Sequence, residues 1–355
     1  MVLKNKRYLL YIAQNYSYAM LRPLQTAILR RGDEVCWFLD GSEVDPSFLK
    51  PTEQRLLSID DVRRWKPDAV MVPGNVVPSF IPGIKVGIFH GFNAGKVNRR
   101  GREDHFEIRN CFDLYCCQGP ATTLPFIRLA EKFGTFKVAE TGWPTLDPLY
   151  KNDLEQPYNI EGDNRPVVLF CSTFSRSLSC ASVVFEKVKA LAEQGDWRWL
   201  VQFHPKMKKE IVDKYKELNS SNLTFVETDN VLPLLKAADV MLCDTSSILI
   251  MFLLQGKPVV TFNNKSQSSH LVNVTQLEGI RPALERALTR PPELMKDIEQ
   301  YCEYIHPFRD GLSSERVLDS VEGLIESGTK DLKPKPANLL RHLKMRKRLG
   351  YWRFG

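Results

Sequence analysis

The chain of 355 residues has no long apolar run: its longest, Ile248 to Leu254, is seven residues, far short of the roughly 20 that a membrane-spanning helix needs. Its opening, MVLKNKRYLLYIAQNYS, holds too short an apolar segment for a signal peptide, so the expected location is the cytoplasm. The eight cysteines include no CxxC pair, which removes the usual zinc and thiol-exchange frameworks. Cys36, Cys111, Cys116, Cys117, Cys171, Cys180, Cys243 and Cys302 sit mostly in apolar, strand-like settings and read as core filler. GxGxxG, GxxxxGK[ST] and GxSxG are all missing, as are short-period repeats and low-complexity tracts.

What is present is a chain with 43% hydrophobic residues, long enough for two separate cores. Short apolar runs alternate with helical periods. The strands expected in the first half are Tyr8 to Ala13, Glu34 to Leu39, Ala69 to Val72, Ile84 to Phe89, Leu114 to Cys117 and Lys137 to Thr141, with helices over Tyr18 to Arg31, Ile59 to Trp65 and Thr122 to Phe133. After the polar stretch Lys151 to Arg165 the alternation restarts, with strands at Val167 to Phe170, Trp199 to Phe203, Leu223 to Val226, Val240 to Cys243 and Val259 to Phe262. Such alternation specifies parallel sheets covered by helices. The reading is an α/β chain of two Rossmann-like domains facing across a cleft: 1–150, a linker 151–165, 166–330, and a basic amphipathic tail 331–355. The net charge of +7 owes much to that tail, LRHLKMRKRLGYWRFG, whose mix of basic, leucine and aromatic residues suits an anionic membrane surface; a solvated tail and a helix packed on the body are the alternatives. No recognised nucleic-acid-binding fold accompanies it, so no nucleic-acid partner is expected.

Candidate chemistry lies where strands end. Asp244-Thr245-Ser246-Ser247 follows the strand VMLC and opens an apolar helix that Gly256 closes, so either this elbow caps a core helix or its hydroxyls and free amides meet a phosphate. His90-Gly91 follows the strand KVGIF, with Lys96, Arg99, Arg100 and Arg102 behind it. A histidine there can take a proton from a hydroxyl near neutral pH, Gly91 permits a tight turn, and the cations suit an anionic acceptor. His204-Pro205-Lys206 repeats the theme after WLVQF, and Cys171-Ser172-Thr173-Phe174-Ser175 is a hydroxyl-rich loop after VVLF. In PFRDGLSSERV, Arg316 sits in a first helical turn where its charge opposes the helix dipole, so it faces either a ligand anion or a surface carboxylate.

Five separated pieces resemble the CDP-glycerol glycerophosphotransferase family, the enzymes that prime and polymerise teichoic-acid-type glycerol phosphate chains. They are Ile88-Phe89-His90-Gly91, Gly142-Trp143-Pro144-Thr145-Leu146-Asp147, Phe203-His204-Pro205, Asp244-Thr245-Ser246-Ser247 with Lys257-Pro258, and Asp310-Gly311 with Ser314 and Arg316. The resemblance implies a GT-B architecture with the donor held by the C-terminal domain and the acceptor by the N-terminal one. It implies His90 as general base and His204 as a second essential histidine, with Thr173, Asp244, Ser246, Ser247, Ser314 and Arg316 at donor positions. Gly91, Lys96 and Arg99 then fall on the acceptor side. Met251 stands where the family's polymerases commonly carry an acidic residue.

The expected reaction is transfer of glycerol phosphate from CDP-glycerol to a hydroxyl of a cell-surface glycan or glycerol phosphate acceptor, with release of CMP, at the inner face of the cell membrane. No Asp-x-Asp pair occurs, which argues against a GT-A enzyme with a metal-bound nucleotide sugar, and the reading requires no divalent metal. The rivals are a GT-B glycosyltransferase using a nucleotide sugar and, behind it, a UDP-sugar 2-epimerase or a non-catalytic assembly protein. The epimerase usually has a glycine pair where Ser246-Ser247 stands.

Overall fold

A computed structural model describes residues 5–93, 103–151, 154–265 and 268–353. The chain divides into two compact units, Met1–Lys151 with Ile305–Gly355, and Asn152–Tyr304.

The first unit is built on a parallel sheet of β1 (Arg7–Ile12), β2 (Glu34–Leu39), β3 (Arg55–Leu56), β4 (Ala69–Val72), β5 (Ile84–Gly87), β6 (Leu114–Cys117) and β7 (Lys137–Glu140), in the order β3-β2-β1-β4-β5-β6-β7. Helices α1 (Ser17–Arg30), α2 (Ile59–Trp65), α3 (Pro120–Phe133) and α4 (Asp147–Tyr150) lie between or after these strands. The central strands are apolar along their whole length because both faces are covered: all four residues of β4 and of β6 are buried. Register is set at β1, where Leu9 pairs with Cys36 on one side and Val70 on the other.

The second unit repeats the plan. Strands β8 (Val167–Ser172), β9 (Arg198–Phe203), β10 (Leu223–Phe225), β11 (Val240–Cys243), β12 (Val259–Phe262) and β13 (Val272–Val274) form a parallel sheet ordered β10-β9-β8-β11-β12-β13. Its helices are α5 (Phe185–Gln194), α6 (Lys209–Lys216), α7 (Leu232–Ala237), α8 (Ile248–Leu253), α9 (Ile280–Leu288) and α10 (Pro292–Ile305). Phe170, Trp199, Tyr215 and Leu242 belong to one buried cluster. In both sheets the order reverses beside the first strand, at β1/β4 and at β8/β11, and open parallel sheets bind ligands outside the carboxyl ends of the strands at such a reversal.

The domain boundary differs from the sequence expectation of 166–330. From Ile305 onward the chain belongs to the first unit. Helix α11 (Ser313–Ser327) lies on α1, where Arg31 pairs with Glu315, Asp319 and Glu322 at 2.6, 2.7 and 3.0 Å. Helix α12 (Leu339–Arg348) also packs on this unit: Met345 and Tyr351 are buried, His342 Nε2 lies 2.9 Å from Ser79 Oγ, and Arg348 pairs with Asp40. Of the alternatives for the basic tail, the packed helix is the one adopted, with an outward apolar row of Leu339, Leu340 and Leu343. Phe354 and Gly355 lie outside the described residues. Among those residues no helix is long and apolar enough to cross a membrane.

Candidate active site

His90 stands at the reversal point of the first sheet. Its Nδ1 lies 3.2 Å from the carbonyl oxygen of Pro73, the residue after β4, and its ring is 6.4 Å from that of Tyr16 in the segment after β1. A carbonyl can only accept, so Nδ1 carries the proton and the lone pair of the neutral ring is on Nε2. The imidazole is exposed.

The backbone that presents it is strained. Phe89 has φ +41°, a left-handed conformation that costs a bulky residue about 1–3 kcal/mol and persists only where its surroundings over-determine it. This ends β5 two residues earlier than the apolar run suggests. Here the Phe89 ring stacks on His105 at 5.0 Å and meets Phe126 edge-on at 5.2 Å, while its carbonyl accepts the indole N–H of Trp143 at 3.1 Å. The next carbonyl but one, that of Gly91, accepts from Gln118 Nε2 at 3.1 Å. Gly91 itself has no positive φ, and a Cβ there would meet nothing within 4 Å, so the turn-making residue is Phe89 and not Gly91 as expected. Lys96 and Arg99 lie outside the described residues, as do Arg100 and Arg102.

Nothing in the sequence singles out His105 or His306. Burial pushes each down to about 4, with the neighbouring His90 acting in the same direction on His105. His306 Nε2 accepts the backbone N–H of Trp143 at 2.9 Å. No local pattern marks either residue, since each is defined by segments far away in sequence.

Ser314 and Arg316, expected on the donor side in the C-terminal domain, fall in the first unit because α11 does. Asp147 caps that helix from 166 residues away, accepting the backbone N–H groups of Ser313 at 2.9 Å and Ser314 at 2.8 Å. Burial raises the Asp147 carboxyl, and the bonds from Ser314 and Ser313 oppose that rise. Arg316 pairs with Asp310 and lies 4.3 Å from the Phe308 ring centroid. The Gly142 to Asp147 and Asp310 to Arg316 pieces therefore meet each other.

In the second unit the hub is Asp244, buried at the end of β11. It accepts from Ser172 Oγ at 2.5 Å, from Thr173 N at 3.0 Å and from Cys180 N at 3.0 Å, so it fixes the loop leaving β8. Burial raises its carboxyl, and those bonds only partly offset the rise. Helix α8 has only six residues, and Ser247 precedes it without a side-chain capping bond. The elbow is thus not a side-chain cap: Asp244 turns to the neighbouring loop, while Ser246 is half-buried and Ser247 exposed. So short a helix contributes little dipole, which leaves the hydroxyls as the polar groups of the elbow.

His204, after β9, is exposed, and its ring packs on Phe174 at 4.4 Å. Its Nδ1 accepts the backbone N–H of Lys206 at 3.0 Å, which places the ring proton on Nε2. Thr173, Asp244 and His204 thus gather where β8, β11 and β9 end, the reversal point of the second sheet. Lys257, another of the resembling residues, has a structural place: its ammonium donates to the carbonyls of Leu235, Lys236 and Ala238 at 2.9, 2.8 and 2.7 Å, closing the end of α7, and burial lowers it to about 8. Among the described residues no group of three His, Cys, Asp or Glu is placed to hold a metal ion.

Fold and strand-end sites define a two-domain α/β protein of the GT-B type. The resemblance to the CDP-glycerol glycerophosphotransferase family holds: the model described as CDP-Glycerol:Poly(glycerophosphate) glycerophosphotransferase matches residues 121–269, which include Thr173, His204 and the Asp244 elbow but not His90. The teichoic acid glycerol-phosphate primase of Bacillus subtilis (strain 168) is 24% identical over 205 residues, 53% of this chain and 52% of the primase. The chain thus spans about half the length of that curated relative. Among solved structures, the wall teichoic acid polymerase TagF aligns with TM-score 0.65 and 13% identity over 90% of this chain and 89% of its own. A UDP-N-acetylglucosamine 2-epimerase aligns with TM-score 0.59 and 14% identity over 94% and 98%. At these identities the likenesses establish the fold.

Proposed function

We propose that the chain transfers glycerol phosphate from CDP-glycerol to a hydroxyl of a glycan or glycerol phosphate acceptor and releases CMP. The observation that carries the reading is the opposite tautomers of two exposed strand-end histidines: His90 offers a lone pair on Nε2, and His204 offers an N–H there. The first is what a general base needs; the second is what a phosphate oxygen needs.

In the step itself the acceptor oxygen forms a new bond to the glycerol-bearing phosphorus as the P–O–P bridge breaks. The electron pair leaves on CMP, and the acceptor proton goes to His90 Nε2. His204 Nε2–H, the hydroxyls of Ser246 and Ser247, and that of Thr173 donate to the phosphate oxygens, while Asp244 holds their loop in place. The work is positioning and charge stabilisation, as for phosphoryl transfer in general. Gly91, with Lys96 and Arg99, takes the acceptor side. No divalent metal is required in this reading. The acceptor is lipid-linked or polymeric, and the outward face of α12 with Trp352 rests on the anionic inner surface of the cell membrane.

Purified protein mixed with CDP-glycerol and a glycerol-phosphate-primed acceptor should release CMP in step with acceptor elongation, with EDTA present or not. No CMP release, together with transfer from a nucleotide sugar or epimerisation of a UDP-sugar, would overturn the reading. Sedimentation with vesicles should occur with phosphatidylglycerol and not with neutral lipid, and should fall sharply in a Leu340→Glu, Leu343→Glu variant. Equal sedimentation of that variant rejects the membrane face.

A further inference from the structure

The residues around His90 hold more than one support for its loop, and the supports converge on one side chain. Trp143 is buried, and a buried indole N–H ordinarily finds an acceptor. Here that acceptor is the carbonyl of Phe89, the residue whose backbone is left-handed, immediately before His90. The indole ring also packs edge-on against Phe92 at 5.2 Å, two residues after His90. One side chain therefore grips the backbone before His90 and the ring just beyond it.

Trp143 is itself held in place. Its backbone N–H donates to His306 Nε2 at 2.9 Å, and Gly142 before it has φ +77°. A Cβ on Gly142 would stand 2.5 Å from Ser313 Oγ and 3.1 Å from His306 Nε2, so a side chain there would be strained by the positive φ and would have to push the Ser313 and His306 side chains aside. The peptide plane joining Phe89 to His90 is thus tied through Trp143 to the segment Ile305 to Ser314. That plane sets the direction from which the imidazole leaves the backbone, and so whether Nδ1 reaches the carbonyl of Pro73.

We propose that Trp143 is a positioning residue for His90: its indole N–H holds the strained Phe89 peptide so that His90 keeps its proton on Nδ1 and its lone pair on Nε2. The assignment rests on His90 being the base, but one of its two readouts is independent of turnover. Trp143→Phe keeps most of the ring and removes the N–H. In long-range proton–nitrogen NMR spectra of the histidines, His90 of the unmodified protein should show a single tautomer protonated on Nδ1, and the variant should show a mixture. In CMP-release kinetics the variant's kcat should fall about 10- to 100-fold, the size of loss that a slightly misplaced group produces, with the KM for CDP-glycerol changed less than about twofold.

A tautomer that stays on Nδ1, or a kcat within about twofold of the unmodified enzyme despite mixed tautomers, overturns the proposal. If Trp143→Phe unfolds, benzothienylalanine at position 143 keeps the shape without the N–H, and the same two outcomes decide. If the unmodified protein releases no CMP, the proposed reaction fails, while the NMR comparison still settles whether Trp143 fixes the His90 ring.

Discussion

The two units share one sheet order over six strands, yet they build their strand ends in opposite ways. In the first, an exposed imidazole stands on a strained and clamped backbone: Phe89 is left-handed, and bonds from Trp143 and Gln118 hold the carbonyls on either side of His90. In the second, the bonds that fix the strand-end loop are buried. Asp244 ties together Ser172, Thr173 and Cys180 inside the protein, and Ser246, Ser247 and His204 stand outside that knot. The proposed reaction would account for the difference: a base has one productive direction and gains from a fixed backbone, whereas a phosphate presents several equivalent oxygens, so small hydroxyl donors need only a stable platform.

The sharpest way to break this comparison is at His90. His90→Ala should lower kcat by about 10²- to 10⁴-fold, the usual contribution of a general base, with donor binding measured by calorimetry left near its original value. Unchanged turnover would leave the clamped loop without a catalytic reason.

A second, smaller effect separates the units by pH. His306 is buried and held neutral, pushed down to about 4 from 6.5. A depressed folded value means that its contribution is present above pH 6.5 and is lost as pH falls toward 4, by up to about 3 kcal/mol. Asp244 has the opposite sign: its carboxyl is raised, so the cost of keeping it charged and buried appears as pH rises through its folded value and is relieved in acid. Hydrogen exchange at the Trp143 amide should therefore speed up markedly between pH 6.5 and 4 after correction for intrinsic exchange. His306→Gln, which keeps an acceptor without titrating, should flatten that response. An equal response in the variant would show that His306 is not its source.

The strand ends were legible because the strands were. β2, β4, β6, β11, β12 and α2 have the bounds that apolar runs and helical period give, since strands buried on both faces leave an unambiguous run. β3 and β13, of two and three residues, carry no such run and leave no signal in the sequence. The return of Ile305–Gly355 to the first unit was also beyond local pattern: the amphipathic period of α11 says that one face is buried, not that Arg31 covers it. For the same reason the sequence places Ser314 and Arg316 in the C-terminal domain, whereas Asp147 and Asp310 hold them within the first unit. His90 and His204 could be found as histidines after strands, but their tautomers depend on Pro73 and Lys206 carbonyl and amide positions that only the fold supplies.

The last and mildest test lies within the second unit, where the buried knot and the outward hydroxyls occupy neighbouring positions. Asp244→Asn leaves one amide N–H₂ facing groups that are already donors, so it should cost about 1–3 kcal/mol in urea unfolding. The paired change Ser246→Ala, Ser247→Ala touches no internal bond of that knot and should stay within about 0.5 kcal/mol of the unmodified protein, while raising the KM for CDP-glycerol about tenfold. If instead the serine pair proves destabilising and donor affinity is unmoved, the hydroxyls belong to the platform, and the phosphate-binding role passes to His204 and Thr173 alone.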